Sequence, residues 1–453
     1  MKSKPNGHNT HYKPLIVTSL FLTFSLFSTE PFAAVTEKTA QASSLIKSGD
    51  YNAAYQLLEP LEPEFSGDVD YDYLLGVAAV ESGHVTRGIF ALERVLAITP
   101  NNINARAEIA KAHFKLGEAD TSKAEFQNIL TEKPSEEVAK SVEKYMSAID
   151  KALGLTTTFA AYLDFGLGYD TNVNSATSAS SVAAPGFGGG NFTLTSAARE
   201  KSDGFINISG GISFRHPLSN TVAVFGTVNG NTHINNSETA FDTSTLDFNG
   251  GFQFKKNIDT YTIAAQDSHF DLDTVNFRRA YGLTGQWQRD FDQSNQGSLY
   301  TQISRLEYHG NEIRDANRYV IGSGWAHVFG GDKTPVVFVG AYIGQENTLD
   351  SRADFLSNDI YGLRSGGQLS ITPKLVAYGS LGYEARRYNK TDPAFLKTRS
   401  DDQYDASLGL RFLPAHNWSI KPQISYIKND SNIVINQFER TIVSINARKD
   451  FDW

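Results

Sequence analysis

Phe159-Ala-Ala-Tyr-Leu-Asp-Phe-Gly-Leu-Gly-Tyr-Asp170 alternates along its whole length. Phe159, Ala161, Leu163, Phe165, Leu167 and Tyr169 fall on one side; Ala160, Tyr162, Asp164, Gly166, Gly168 and Asp170 fall on the other. Successive side chains of a β-strand point to opposite faces, so the stretch predicts a strand with one apolar and one polar face. The pattern recurs to the end of the chain. Leu246, Phe248, Phe252 and Phe254 oppose Asp247, Asn249, Gln253 and Lys255, and Tyr404, Ala406, Leu408, Leu410 and Phe412 oppose Asp405, Ser407, Gly409 and Arg411. Tyr281, Leu283 and Trp287 likewise oppose Gly282, Thr284, Gln286 and Gln288.

A soluble half-buried sheet would alternate in the same way, so the connections have to decide. Short turns are predicted at Pro217–Asn220, Lys256–Asp259, Asp290–Asn295, Gly330–Thr334, Pro373-Lys374 and Pro414–Asn417, with longer polar loops between them, the longest from Asp170 to Ser202. Short turns at one end and long loops at the other mark an outer-membrane barrel. The count is 14 strands, an even number, and the chain stops on an alternating strand ending Phe451-Asp-Trp453. A terminal aromatic of this kind is expected to be read by the barrel-assembly machinery. Residues 155–453 are therefore expected to form a 14-stranded antiparallel transmembrane β-barrel in contact with outer-membrane lipid. Tyr169, Tyr261, Phe291, Trp325, Phe329, Phe412 and Trp418 would form its interfacial girdles.

Before residue 155 the period is helical. Shifted by 34 residues, the sequence aligns Gly49, Gly83 and Gly117; Ala42, Gly76 and Ala110; Leu58, Leu92 and Phe126; and Pro100 with Pro134. A 34-residue period with small residues where paired helices cross is the tetratricopeptide signature. Residues 35–154 are expected to hold three repeats, the first degenerate, with a last helix from Ser135 to Leu153 and Gly154 as its cap. Tyr73, Val77 and Glu81, with Lys111, Phe114 and Lys115, are expected to line a client-binding groove. His113 is expected at a contact between repeats. Residues 1–34 read as a secretory signal peptide: Lys2, Lys4 and Lys13, an apolar run from Leu15 to Ser28, and Ala33-Ala34 near the cleavage point. The fold class is thus α + β, a helical repeat solenoid in the periplasm followed by the barrel.

The chain of 453 residues has no cysteine, 37 glycines, 4 Trp, 20 Tyr, 29 Phe and a net charge of −9. That excludes thiol catalysis and cysteine-based metal sites, and gives no support to nucleic-acid binding, which needs a clustered basic surface. No nucleophile elbow, phosphate loop or zinc-protease histidine pair occurs. No cofactor, and no enzyme, is expected. Asp267, Ser268, His269, Asp271 and Asp273 make the densest polar cluster, which reads as a solvated outer loop in preference to a cation site. The polar faces predict a lumen lined by Asp247, Asn249, Gln286, Arg364, Asp405, Arg411, Arg440 and Arg448. Its mixed sign weighs modestly against export of an acidic polymer.

The domain order, together with Phe165-Gly-Leu-Gly-Tyr-Asp-Thr-Asn-Val-Asn174 at the start of the barrel, resembles the surface lipoprotein assembly modulators of Gram-negative bacteria. The resemblance implies export or surface display of a client, either a surface lipoprotein or a soluble hemophore-like protein, with the repeats contacting clients or periplasmic chaperones. Two other readings stay open: an exopolysaccharide-export porin with a short repeat adaptor, and a passive outer-membrane channel.

Overall fold

A computed structural model describes residues 37–452; the segment read as a signal peptide and Trp453 lie outside the described residues. The chain divides into two compact units between Ile149 and Asp150.

The first unit is a stack of helical pairs. Helices α1 (Glu37–Lys47) and α2 (Tyr51–Leu58) form the first pair, followed by a short α3 (Glu62–Phe65). Then come α4 (Val69–Glu81) with α5 (Val85–Ile98), α6 (Ile103–Lys115) with α7 (Ala119–Thr131), and a closing α8 (Glu136–Ala152). The 34-residue glycines explain the hairpins. Gly49, Gly83 and Gly117 hold φ of +84°, +95° and +81°, where a Cβ would clash with backbone. After each, the next amide reaches back to close the preceding helix: Asp50 N–H to Leu45 C=O, His84 to Ala79, Glu118 to His113. Gly154, at φ +69°, ends α8 in the same manner through Leu155 N–H to Asp150 C=O. Close helix approach is fixed at Gly76 and Gly88, where an added Cβ would lie 2.5 Å from Leu92 Cγ and 2.6 Å from Val80 Cγ2. His113 Nδ1 lies 2.6 Å from Glu118 Oε2, a contact within its own hairpin.

The second unit is a closed barrel of fourteen strands, each antiparallel to its neighbours. They are β1 (Thr158–Asp170), β2 (Asp203–Pro217), β3 (Val222–Asn235), β4 (Thr243–Lys256), β5 (Asp259–Leu272), β6 (Val275–Asp290) and β7 (Asn295–Tyr308). The second half is β8 (Ala316–Val328), β9 (Val336–Thr348), β10 (Asn358–Thr372), β11 (Leu375–Asp392), β12 (Lys397–Phe412), β13 (Trp418–Ser431) and β14 (Phe438–Asp452). β14 pairs with β1 from Ala160↔Asp452 to Asp170↔Ile442, so no edge is left. Closure satisfies the backbone in lipid.

Large apolar side chains stand exposed on the outer face: Phe159, Leu163, Phe165 and Leu167 on β1; Ile206, Ile208 and Ile212 on β2; Leu408 and Leu410 on β12. In a membrane barrel that face is covered by lipid. The girdle residues Tyr169, Tyr261, Phe291, Trp325, Phe329, Phe412 and Trp418 are likewise exposed. No helix among the described residues is long and apolar enough to cross a membrane.

The loop asymmetry is smaller than expected. The first far-side connection is long and carries a small hairpin, Ser181–Ala183 against Asn191–Thr193. Others are short, Asp273-Thr274 alone joining β5 to β6. Strands of 13 to 18 residues explain this: they continue past the bilayer and absorb sequence that reads as loop.

Candidate functional site: barrel interior and repeat groove

Alternation around the barrel places Asp247 and Asn249 (β4), Gln286 (β6), Arg364 (β10), Asp405 and Arg411 (β12) and Arg440 and Arg448 (β14) on the face opposite the exposed apolar residues. Asn249, Gln286 and Arg364 are solvent-exposed there, so the interior holds accessible space. The eight residues do not form one cluster. Arg440 turns to Asp170, fully buried, with Nη2 2.5 Å from Oδ2, and also donates to Ser175 Oγ at 3.2 Å. Arg448 pairs with Asp450 at 2.6 Å.

The interior has an order that the list of polar positions misses. Tyr162, Tyr342 and Tyr378 lie flat across glycines of the adjacent strand: a Cβ on Gly211, Gly362 or Gly409 would fall 2.6, 2.0 or 2.5 Å from the respective ring. Over each ring sits an arginine. Arg448 lies 3.9 Å from the Tyr162 centroid, Arg364 5.7 Å from Tyr342 and Arg411 5.9 Å from Tyr378. Each glycine leaves a notch, the tyrosine fills it edge to edge, and the ring face then holds a guanidinium. The signal was present as tyrosine at a polar-face position with glycine on the next strand, but pairing it requires the register.

Beside the Tyr342 stack lies a cavity of about 490 Å³. Arg318, Arg364 and Arg386 line it with Glu384, as do Gln296, Ser298, Tyr300 and Gln302. Arg318 pairs with Glu346 and Arg386 with Glu384, whereas Arg364 is held by the tyrosine face. Cations outnumber anions, so the cavity suits a polar or anionic group.

On the outer face of the barrel, Asp267, His269 and Asp271 belong to β5, correcting the expected loop, and only Asp273 is in the turn. Asp267 is taken by Arg279 at 2.7 Å, with His269 Nε2 at 3.5 Å. Among the described residues no group of three or more His, Cys, Asp or Glu could hold a metal ion. On the same face Trp287 donates from Nε1 to Asp259 Oδ1 at 2.8 Å, and Arg289 pairs with the same carboxylate.

In the helical unit, Glu81 (α4) and Lys115 (α6) meet at 2.6 Å, joining consecutive pairs. Lys111 donates to Glu108 at 2.6 Å and lies 5.4 Å from the Tyr145 centroid. Burial opposes its charge, yet Glu108, Tyr145 and Tyr73 hold the ammonium protonated above its ordinary range. Tyr73 is pushed up to about 12 by burial and by Glu108. Val77 is buried, Tyr73 packs on the core of the second pair, and Phe114 is half-buried. Of the six expected residues, Glu81 and Lys115 are the exposed ones, while Lys111 is half-buried against Glu108 and Tyr145. Phe90 is 58% exposed on α5, although a lone phenylalanine at helical spacing reads as core.

Among solved structures, the barrel is similar to DcaP, an outer membrane channel of Acinetobacter baumannii, at 13% identity and a TM-score of 0.37, covering 65% of this chain and 97% of that one. A FadL homologue of Pseudomonas aeruginosa matches at 11% identity and a TM-score of 0.34, covering 65% of this chain and 89% of that one. The helical unit is similar to MamA (AMB-1), at 25% identity and a TM-score of 0.24, covering 26% of this chain and 69% of that one. No curated protein matches the chain. A family model described as surface lipoprotein assembly modifier matches residues 160–451, nearly the whole barrel.

Proposed function

The chain belongs to the surface lipoprotein assembly modifier family, and on that premise we propose that it carries a client protein across the outer membrane for display or release at the cell surface. The client is a surface lipoprotein or a soluble hemophore-like protein. The family match over the barrel carries this reading; the polar, solvent-accessible interior supports it, since an unfolded chain needs a wet path. The barrel lies in the outer membrane and the helical unit in the periplasm. There the groove around Glu81, Lys111 and Lys115 takes up the client before it folds, alone or from periplasmic chaperones, and raises its local concentration at the membrane. The barrel-assembly machinery inserts the barrel itself. No phosphate-binding motif is present in the sequence, so folding of the client outside supplies the direction of transport. The role is one of transport, without catalysis.

Removing residues 35–153 while keeping the signal segment and the barrel tests the groove. Client exposure, read by protease shaving of intact cells, should fall at least tenfold while the barrel still assembles. Unchanged exposure would remove the groove from the mechanism.

A further inference from the structure

The barrel wall has one place where the hydrogen-bond ladder breaks without a change of register. Between β12 and β13, Gly409 pairs with Gln423 and Phe412 with Ile420, but Leu410-Arg411 and Lys421-Pro422 between them do not pair. The other irregularities, at Phe270/Asp271, Ser370/Thr372 and Arg387/Thr391, all shift the register. The cause is Pro422. It has no N–H to give to the Leu410 carbonyl, and proline inside a sheet is otherwise confined to edges and bulges. A closed barrel in lipid has no free edge to soften that loss, so the position is costly.

Two further features coincide with the break. On the lipid face, Ser365, Gly379, Leu381, Ala406, Leu408, Ile424 and Tyr426 border a hollow of about 520 Å³, which reaches across β10 to β13 because small residues replace large ones there. Ties on either side of the break are also unequal. Lys421 of β13 reaches across β14 to Asp164 of β1 at 3.1 Å, Asn446 of β14 donates to the same Asp164 at 2.8 Å, and Arg440 of β14 holds Asp170 of β1. These bind β13, β14 and β1 into one body. Across the β12–β13 break the inner wall is bridged by the Tyr378 hydroxyl, which donates to Gln423 Oε1 at 3.0 Å over Gly409. At the far end Asn432 latches the two strands by donating to the Thr398 carbonyl and accepting from Ser400 N–H.

We propose that the wall parts between β12 and β13, starting at the Pro422 break in the periplasmic half and hinged at the Asn432 latch, and that the acyl chains of a lipoprotein client lie in this seam. The inference rests on the transport role proposed above and deepens it. Polypeptide is compatible with the polar lumen, whereas a fatty acyl chain is not and stays in hydrocarbon. An opening in the wall lets one molecule occupy both media, and the outer hollow gives the chains a track along β12.

The absence of cysteine makes a direct test clean. The full chain carrying Ser407→Cys and Ser425→Cys, which face each other across the seam, is oxidised and reconstituted in phospholipid vesicles. A control chain carries Ser213→Cys and Thr227→Cys across β2 and β3. The probe is a synthetic triacylated lipopeptide with a fluorophore on its peptide, and the readout is its movement between leaflets, scored by a membrane-impermeant quencher. The wild type and the oxidised control should move the lipopeptide at least tenfold faster than protein-free vesicles. The oxidised seam variant should not, and reductant should restore it, which also shows that it had folded. Pro422→Val, which returns the missing N–H, should slow movement without any cross-link. Equal movement by the oxidised seam variant, or none by the wild type, would overturn the proposal. Cellular client display is measured separately, so its loss or persistence bears on the transport role alone.

Discussion

Asp72 is fully buried in the helical unit, and its carboxylate survives there because Arg94 approaches at 2.5 Å and Gly67 N–H at 2.8 Å. Arg94→Ala leaves that charge uncompensated. The expected loss is about 3 kcal/mol, near the low end for an uncovered buried charge because Arg94 is itself 32% exposed, and helical circular dichroism on thermal unfolding would record it. Glu62 lies between Arg87 and Arg94. Burial raises its pKa, but the hydrogen bonds and charge of both arginines outweigh burial and hold it below the ordinary value of 4.5. A depressed carboxylate stabilises the fold above the unfolded pKa, and the contribution is lost as pH falls through the folded one. Stability of the helical unit should therefore drop below about pH 4.5. Glu62→Gln should flatten that drop. In the barrel, Asp170 and Asn172 of the opening motif were legible as a family mark only. Their work is to fasten the first loop to the last strand: Asp170 accepts from Arg440, and Asn172 donates to the carbonyls of Ala176 and Glu439. Arg440 and Glu439 lie some 270 residues away, so no local pattern could have disclosed them.

Elements were more readable than contacts. The 34-residue recurrence of glycine located the helical hairpins because a left-handed φ leaves a compositional trace. Gly83→Ala should lower the stability of the helical unit by about 1–2 kcal/mol, measured by denaturant unfolding, since an open site still charges alanine for its φ. Alternation exposed the strands for a similar reason, one face meeting lipid and the other water. What alternation could not supply was register, and register decides which tyrosine meets which glycine. The ring of Tyr342 would lie 2.0 Å from a Cβ on Gly362. Gly362→Val should therefore expel the ring, loosen Arg364, and lower the heat resistance of the folded barrel on unboiled gels, whereas Gly330→Val, in an open turn, should leave it unchanged.

At the scale of the molecule, a barrel of the surface lipoprotein assembly modifier family is joined to a helical unit. Periodicity foretold the two-part architecture, because the period changes from 3.6 to 2 near residue 155. The seam at Pro422 was not legible in advance: one proline in an alternating stretch reads as a turn until the ladder around it is seen. The central claim is that the chain moves a protein client to the cell surface. Its most direct test is the surface and medium proteome of cells with and without this gene, with intact cells shaved by protease. The account predicts that a lipoprotein or secreted protein loses exposure while its amount in the periplasm is maintained or rises. An unchanged protein profile would contradict it.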